Sequence, residues 1–362
     1  MRKSSGAKKH ATEPAFPPIR KIAISTGGGD APGLNAVIRA VARRAFDHGD
    51  EVIGVLHGWR GLVEGQFRPL GPIDVTGLLP RGGTILKTSR TNPYNVDGGV
   101  ERVLENLQEL DALVAIGGED TLGVAARLHS EHGVHVVGVP KTIDNDLSGT
   151  DYTFGFDTAL SIATDAIDRL HSTAESHDRV MVCEVMGRHA GWIAIMSGMA
   201  GGADVILTPE RPVTVERCCE LIQKRHAKGK DFSIVVVSEG WELRTEDGEA
   251  TLVDSGTKDA FGHVHLGGVG ESLGREIEAR TGFETRVTNL GHTQRGGSPT
   301  AHDRVLATRY GLKAADMVYA GAWGQMAALR GDRIEAVPLS DAVAELKTVP
   351  DELYDQASAF FG

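Results

Sequence analysis

From residue 20 to residue 319 the chain repeats one unit: a short apolar run, a polar loop containing glycine, and an amphipathic stretch. The apolar runs 20–26, 51–56, 111–116, 134–139, 179–185, 203–207, 232–238 and 284–290 read as strands. Helical spacing fills 35–46, 100–110, 122–129, 158–170, 215–227, 269–280 and 299–319. Strands that are apolar throughout, rather than alternating, are buried on both faces. With helices between them they form a parallel α/β sheet. In such sheets ligands bind just beyond the carboxyl ends of the strands, so the polar loops there carry the functional reading.

The densest of these loops is Gly138–Asp146, which leaves the run 134–139. It supplies a cation (Lys141), a hydroxyl (Thr142) and two carboxylates (Asp144 and Asp146). One carboxylate can take a proton while the other manages a metal or a second proton. Asp144 and Asp146 are expected to diverge if the chain stays extended. Asp-Asn-Asp also makes a good polar turn.

Five other loops resemble it. Gly27–Gly33 joins a strand to a helix, which presents backbone N–H groups to a phosphate, although its spacing is neither a Walker A loop nor a dinucleotide fingerprint. The basic loop Arg81–Arg90 suits phosphate oxygens. Glu119 and Asp120 follow a strand and precede a helix, where Asp120 could serve as a cap. The loops 186–191 and 291–297 carry Arg188, His292 and Arg295, and Glu239 ends another strand. Cations for phosphates, acids for a magnesium ion and one acid for an acceptor hydroxyl together describe phosphoryl transfer.

Composition narrows the classes. The 362 residues suggest about two domains, and 41 % apolar content supports sizeable cores. A net charge of −11 argues against a nucleic-acid partner. Cys183, Cys218 and Cys219 have no metal or disulfide spacing, which fits a reducing compartment such as the cytoplasm. No apolar run is long enough for a membrane span. Residues 1–19 read as a basic disordered tail, and 241–265, polar and without period, as a mobile surface insertion.

Four motifs, in order, resemble the phosphofructokinase family: Gly-Gly-Asp-Ala-Pro-Gly-Leu-Asn at 28–35, Lys-Thr-Ile-Asp-Asn-Asp at 141–146, Glu-Val-Met-Gly-Arg at 184–188 and Gly-His-Thr-Gln-Arg-Gly-Gly at 291–297. The resemblance covers about residues 20–330. It implies two Rossmann-like three-layer domains with mainly parallel sheets and the active site in the cleft between them. Residues 20–155 and 297–345 would form the donor-binding domain, and 156–296 and 346–362 the sugar-phosphate domain. The implied reaction is magnesium-dependent phosphoryl transfer to the 1-hydroxyl of fructose 6-phosphate.

On the matching positions, the resemblance makes Asp144 the base, with Thr142, Asp146 and Arg188 completing the catalytic set. Gly28, Gly29 and Arg90 would bind the donor, and Glu119 the metal, one methylene longer than the family's usual aspartate. Thr142, Ile143, Asp144, Met186, Gly187, Arg188, Glu239, His292, Thr293, Gln294 and Arg295 would contact the sugar phosphate. Arg179 and Arg286 match cations that reach it from a neighbouring subunit, which implies a homodimer or homotetramer.

Two departures bear on the donor. The ATP-dependent branch usually has glycine where this chain has Asp120 and Lys141. Asp and Lys are the usual pair in the pyrophosphate-dependent branch, although Lys alone does not decide, since some ATP-using relatives carry it. A carboxylate in the donor pocket would repel the α-phosphate of ATP. Pyrophosphate is therefore the expected donor and the reaction the expected reversible one. An ATP-dependent kinase and an additional acceptor such as sedoheptulose 7-phosphate remain the alternatives. A catalytically silent regulatory subunit is disfavoured by the intact Thr142, Asp144, Asp146 and Arg188.

Overall fold

The computed structural model describes residues 19–246, 248, 254–258 and 264–362. The expected disordered tail therefore lies outside the described residues, except for Ile19, as does part of the expected insertion.

In chain order the elements are β1 (Lys21–Thr26), α1 (Leu34–His48), β2 (Glu51–Val55), α2 (Trp59–Glu64), β3 (Phe67–Leu70), α3 (Gly99–Leu107), β4 (Ala112–Gly117), α4 (Glu119–His132) and β5 (Val136–Thr142). There follow β6 (Phe154–Gly155), α5 (Phe156–His177), β7 (Val180–Val185), α6 (Trp192–Ala200), β8 (Val205–Leu207), α7 (Val215–Ala227), β9 (Ser233–Ser238), β10 (Asp254–Lys258) and β11 (Val264–Leu266). The chain closes with α8 (Val269–Thr281), β12 (Thr285–Asn289), α9 (Ala301–Tyr319), β13 (Gln325–Arg330), β14 (Arg333–Pro338), α10 (Leu339–Ala344) and α11 (Asp351–Ser358).

Two main sheets result. The larger runs β14-β13-β5-β4-β1-β2-β3, with β6 added beside β5. Its interior pairs are parallel and its two edges, β3 and β14, are antiparallel. The smaller sheet, β12-β7-β9-β8, is parallel throughout. Alternate residues of one strand serve opposite cores. Ile22 and Ile24 pack on one face of the larger sheet with α1 and α9, while Ala23 packs on the other with α4. Cys183 and Val185 of β7 face one core of the smaller sheet, and Val180 and Val182 face the other. Both faces being covered explains why these strands read as unbroken apolar runs.

β1 lies between β2 and β4, so the strand order reverses direction between β1 and β4. At such a switch point the following helices leave to opposite sides and open a crevice at the strand ends. Gly27–Gly29 and Gly118–Asp120 border that crevice.

The structure corrects several expectations. β5 continues through Lys141 and Thr142, because Lys141 and Thr142 pair with Phe154 and Gly155 of β6. Those two polar residues therefore sit on a strand instead of a loop. α4 begins at Glu119 with Gly118 as its cap residue, so Asp120 lies inside the first turn and is not the cap. The insertion does not begin at Trp241, whose side chain is only 1 % exposed in the core of the smaller sheet. Within the insertion, β10 and β11 form an antiparallel pair. The cysteines are buried and unbridged, as their spacing suggested.

Candidate active site

One cleft gathers residues from both sheets. From the larger sheet come Gly28 and Gly29 after β1, Arg90, then Gly118, Glu119, Asp120 and Thr121 at the start of α4, and Lys141, Thr142, Asp144 and Asp146 from β5 and its turn. From the smaller sheet come Met186, Arg188 and His189 after β7, Glu239 after β9, and His292 and Arg295 after β12. Residues from 28 to 295 thus meet because most stand at or just beyond the carboxyl ends of strands, while Arg90 comes from the long segment after β3.

The glycine loop is closely packed. Gly28 has φ +77°, a left-handed conformation that favours glycine, and a Cβ on Gly29 would stand 2.7 Å from Arg295 Nη1. The Lys141 ammonium donates to the Gly29 carbonyl at 2.5 Å, and the Thr88 hydroxyl to the Gly28 carbonyl at 2.6 Å. The loop is thereby fixed from β5 and from the segment preceding Arg90. Arg81 and Lys87 of the same basic segment border a separate surface depression.

Asp144 and Asp146 do not diverge. Residues two apart share a face even of an extended chain, and Asn145 between them, left-handed at φ 52°, adds a turn there; both acids line the cleft. Its side chain is buried and accepts hydrogen bonds from the Thr153 N–H and from Lys347, each at 3.0 Å. The Asp144 N–H donates to the Thr142 hydroxyl at 3.0 Å. Asp144 Oδ1 is buried and has no hydrogen-bond partner among the described residues.

This concentration of buried charge shifts protonation. Burial, then the charges of Asp144 and Glu119, holds the Asp146 carboxyl well above the ordinary carboxylate range. Burial and Asp144 push Glu239 up to about 7, against the pull of Arg295 and Arg188. Burial, with repulsion from Arg295, lowers Lys141 to about 8. Among the described residues no three His, Cys, Asp or Glu side chains converge as a ready-made metal cage. The oxygen-only donor set still suits magnesium, which binds through one or two carboxylates and substrate phosphates. The partnerless Asp144 oxygen and the mutually repelling acids are what a divalent cation would relieve.

Four expected contacts of this cleft do not line it. Ile143 is fully buried in the core of the smaller sheet, so its side chain faces away from the cleft. Gln294 is buried, its carbonyl accepting from the Met186 N–H at 3.3 Å and its amide donating to the Gly291 carbonyl at 3.1 Å. It joins two cleft loops without lining the cleft. Thr293 turns back to the Leu290 carbonyl. Gly187, at φ +134°, shapes the loop: a Cβ there would stand 2.7 Å from Ser238 Oγ. Arg179 and Arg286 line no part of the cleft. Both pair with Glu284 on the smaller sheet, Arg179 at 2.8 Å.

The sequence reading missed Thr121 and His189, which line the cleft beside residues it did select. It also missed Lys347, which stands behind the Asp144 turn and has no local signal. Burial lowers Lys347 to about 8, while Asp146 and Asp151 favour its charged form. Glu184 of β7, quoted only as part of a motif, is a 2 %-exposed anchor. Its carboxylate accepts from the Gly268 and Gly270 N–H groups at 3.0 and 2.7 Å and from the Asn289 amide at 2.7 Å.

The phosphofructokinase family model matches residues 21–318. The chain belongs to the phosphofructokinase family. It is 60 % identical to a pyrophosphate–fructose 6-phosphate 1-phosphotransferase of Amycolatopsis methanolica, over 94 % of this chain and 100 % of that one. It is 53 % identical to ATP-dependent 6-phosphofructokinase 3 of Streptomyces coelicolor, over 93 % of this chain and 98 % of that one. Among solved structures, a phosphofructokinase of Pichia pastoris superposes with a TM-score of 0.77 at 33 % identity. That match covers 99 % of this chain, which spans 38 % of the Pichia chain. Among the described residues no helix is long and apolar enough to cross a membrane.

Proposed function

We propose that this phosphofructokinase transfers a phosphoryl group from pyrophosphate to the 1-hydroxyl of fructose 6-phosphate, reversibly and with magnesium, in the cytoplasm. The observation that carries the donor reading is the presence of Asp120 and Lys141 in one cleft with the glycine loop and Asp144. The positive end of α4 would otherwise favour a chain of phosphates. Asp120, in its first turn, sets a carboxylate there. Two like charges at about 4 Å cost about 4 kcal/mol at an effective dielectric of 20. Pyrophosphate has one phosphate fewer to place, and Lys141 offsets its charge. The greater identity to the pyrophosphate enzyme than to the ATP enzyme supports the same choice.

In this reading residues 20–155 and 297–345 hold the donor, and 156–296 and 346–362 the sugar phosphate. Gly28 and Gly29 offer backbone N–H groups to pyrophosphate, with Arg90 beside them. Asp144, whose free oxygen faces no protein donor, takes the proton of the sugar hydroxyl. Thr142 borders the moving phosphoryl group and Arg188 balances its charge. Met186 and Glu239 orient the sugar, while His292 and Arg295 hold its far end. Glu119, with Asp144 and Asp146 close by, would hold magnesium, which supplies charge neutralisation on the phosphates. Arg179 and Arg286, displaced from their own cleft, serve that of a neighbouring copy in a homodimer or homotetramer.

The test is the initial rate with fructose 6-phosphate and magnesium, using pyrophosphate or ATP, for wild type and Asp120→Gly. Activity with pyrophosphate only, and measurable ATP use in the variant, is the expected result. Wild-type activity with ATP and none with pyrophosphate would overturn the donor assignment.

A further inference from the structure

The segment after α10 crosses behind the cleft and touches both of its walls. Leu346 bridges to Leu147, and the Lys347 N–H donates to the Asp146 carbonyl at 2.8 Å. The Lys347 carbonyl accepts from the indole N–H of Trp192 at 2.7 Å. Trp192 opens α6, three residues after His189 of the opposite wall. The Lys347 ammonium uses all three of its donors on the acid-bearing turn: Asn145 Oδ1 at 3.0 Å, the Thr150 carbonyl at 3.0 Å and the Asp151 carbonyl at 2.9 Å. Two residues on, the Val349 N–H donates to Glu210 at 3.0 Å, and the same carboxylate oxygen accepts from the Gly191 N–H at 2.9 Å.

The left-handed region is sparsely populated by residues other than glycine, and even asparagine, which tolerates it best, keeps it where its side chain is held. Asn145 is such a residue, and its conformation sets the turn between Asp144 and Asp146, which both line the cleft. Lys347 supplies one of the hydrogen bonds that hold it, and by its main chain ties the turn to α6.

We propose that Lys347 is a positioning residue for phosphoryl transfer: it fixes the turn at Asn145 and sets the spacing between the Asp144 loop and the Arg188 loop. This rests on the functional reading above. A displacement of about 1 Å in reacting groups costs about a hundredfold in rate. The ammonium touches neither cleft nor substrate, so its loss should act on turnover more than on binding.

The experiment compares wild type, Lys347→Met and Trp192→Phe. Kinetics with both donors are paired with amide exchange over 143–151 and 186–195 in the absence of substrate. For Lys347→Met we expect kcat to fall about 10- to 100-fold, with both KM values within about threefold, and faster exchange in both segments. Trp192→Phe keeps the ammonium and loses only the indole tie, so a smaller loss in the same direction is expected. It decides the matter should Lys347→Met fail to fold. Lys347→Ala should regain turnover when propylammonium is added, which a general loss of stability would not allow. Unchanged kcat per folded molecule, or unchanged exchange in either segment, would overturn the proposal. Wild-type inactivity with both donors would sink the functional reading and with it the catalytic role, while the exchange result would still decide whether Lys347 ties the two loops.

Discussion

Lys141→Met should make the protein more stable and nearly inactive at once. The Lys141 side chain is 3 % exposed and its pKa drops from 10.5 to about 8. Holding the proton in the cleft therefore costs about 3 kcal/mol of folding free energy. Below pH 8 both folded and unfolded chains carry the proton and this cost is fully present. Between pH 8 and 10.5 the folded chain releases it first, so stability rises with pH and the cost disappears. Methionine keeps the length and the apolar stem, and it removes the charge. It also gives up the hydrogen bond to the Gly29 carbonyl, worth about 1 kcal/mol net. The variant should thus gain about 2 kcal/mol near pH 7, and that gain should vanish by about pH 10. In the proposed reaction the same ammonium would face pyrophosphate. An ion pair at about 4 Å and an effective dielectric of 20 is worth about 4 kcal/mol, so kcat/KM for pyrophosphate should fall by about three orders of magnitude. Urea unfolding at pH 7 and pH 10, alongside kinetics, reads both effects. A variant less stable than wild type at pH 7 would refute the reasoning, because Lys141 would then be a structural tie to the glycine loop and not a charge held ready for the donor.

Two further predictions concern buried carboxylates. Glu239 is raised from 4.5 to about 7, so the folded chain binds its proton more tightly and loses stability as pH rises across that window. Glu239→Gln should raise the thermal midpoint at pH 8, by about 1–3 kcal/mol in stability, and leave it nearly unchanged at pH 5; an equal shift at both would contradict the assigned titration. Glu184→Gln puts an amide N–H against the N–H groups of Gly268 or Gly270 and should cost about 3 kcal/mol. A urea midpoint equal to that of wild type would show that the start of α8 does not depend on this carboxylate.

Much of the site was legible because the chain places chemistry at strand ends, and strand ends are a local property. Gly28, Asp120, Asp144, Arg188, Glu239 and Arg295 were each found from an apolar run followed by a polar loop, and they line one cleft. The errors came from non-local contacts. Lys141 and Thr142 looked like loop residues because the two-residue strand β6 that lengthens β5 is twelve residues away with no signal of its own. The turn between Asp144 and Asp146 was hidden because the left-handed Asn145 is held by Thr153 and Lys347, the latter about two hundred positions along. Trp241 looked exposed because its neighbours in sequence are polar, although its neighbours in space are apolar.

The sequence by itself determined the parallel α/β class, the family and the chemical types available at each loop, since burial on both faces dictates continuous apolar strands and phosphate chemistry dictates glycine, cations and acids beyond them. The tertiary structure alone decided which of those groups share a cleft, that Asp144 raises the pKa of Asp146 and Glu239, and that Lys347 stands behind the Asp144 turn. Those are matters of distance and desolvation between residues far apart in the chain, and neither quantity is written in any local stretch of it.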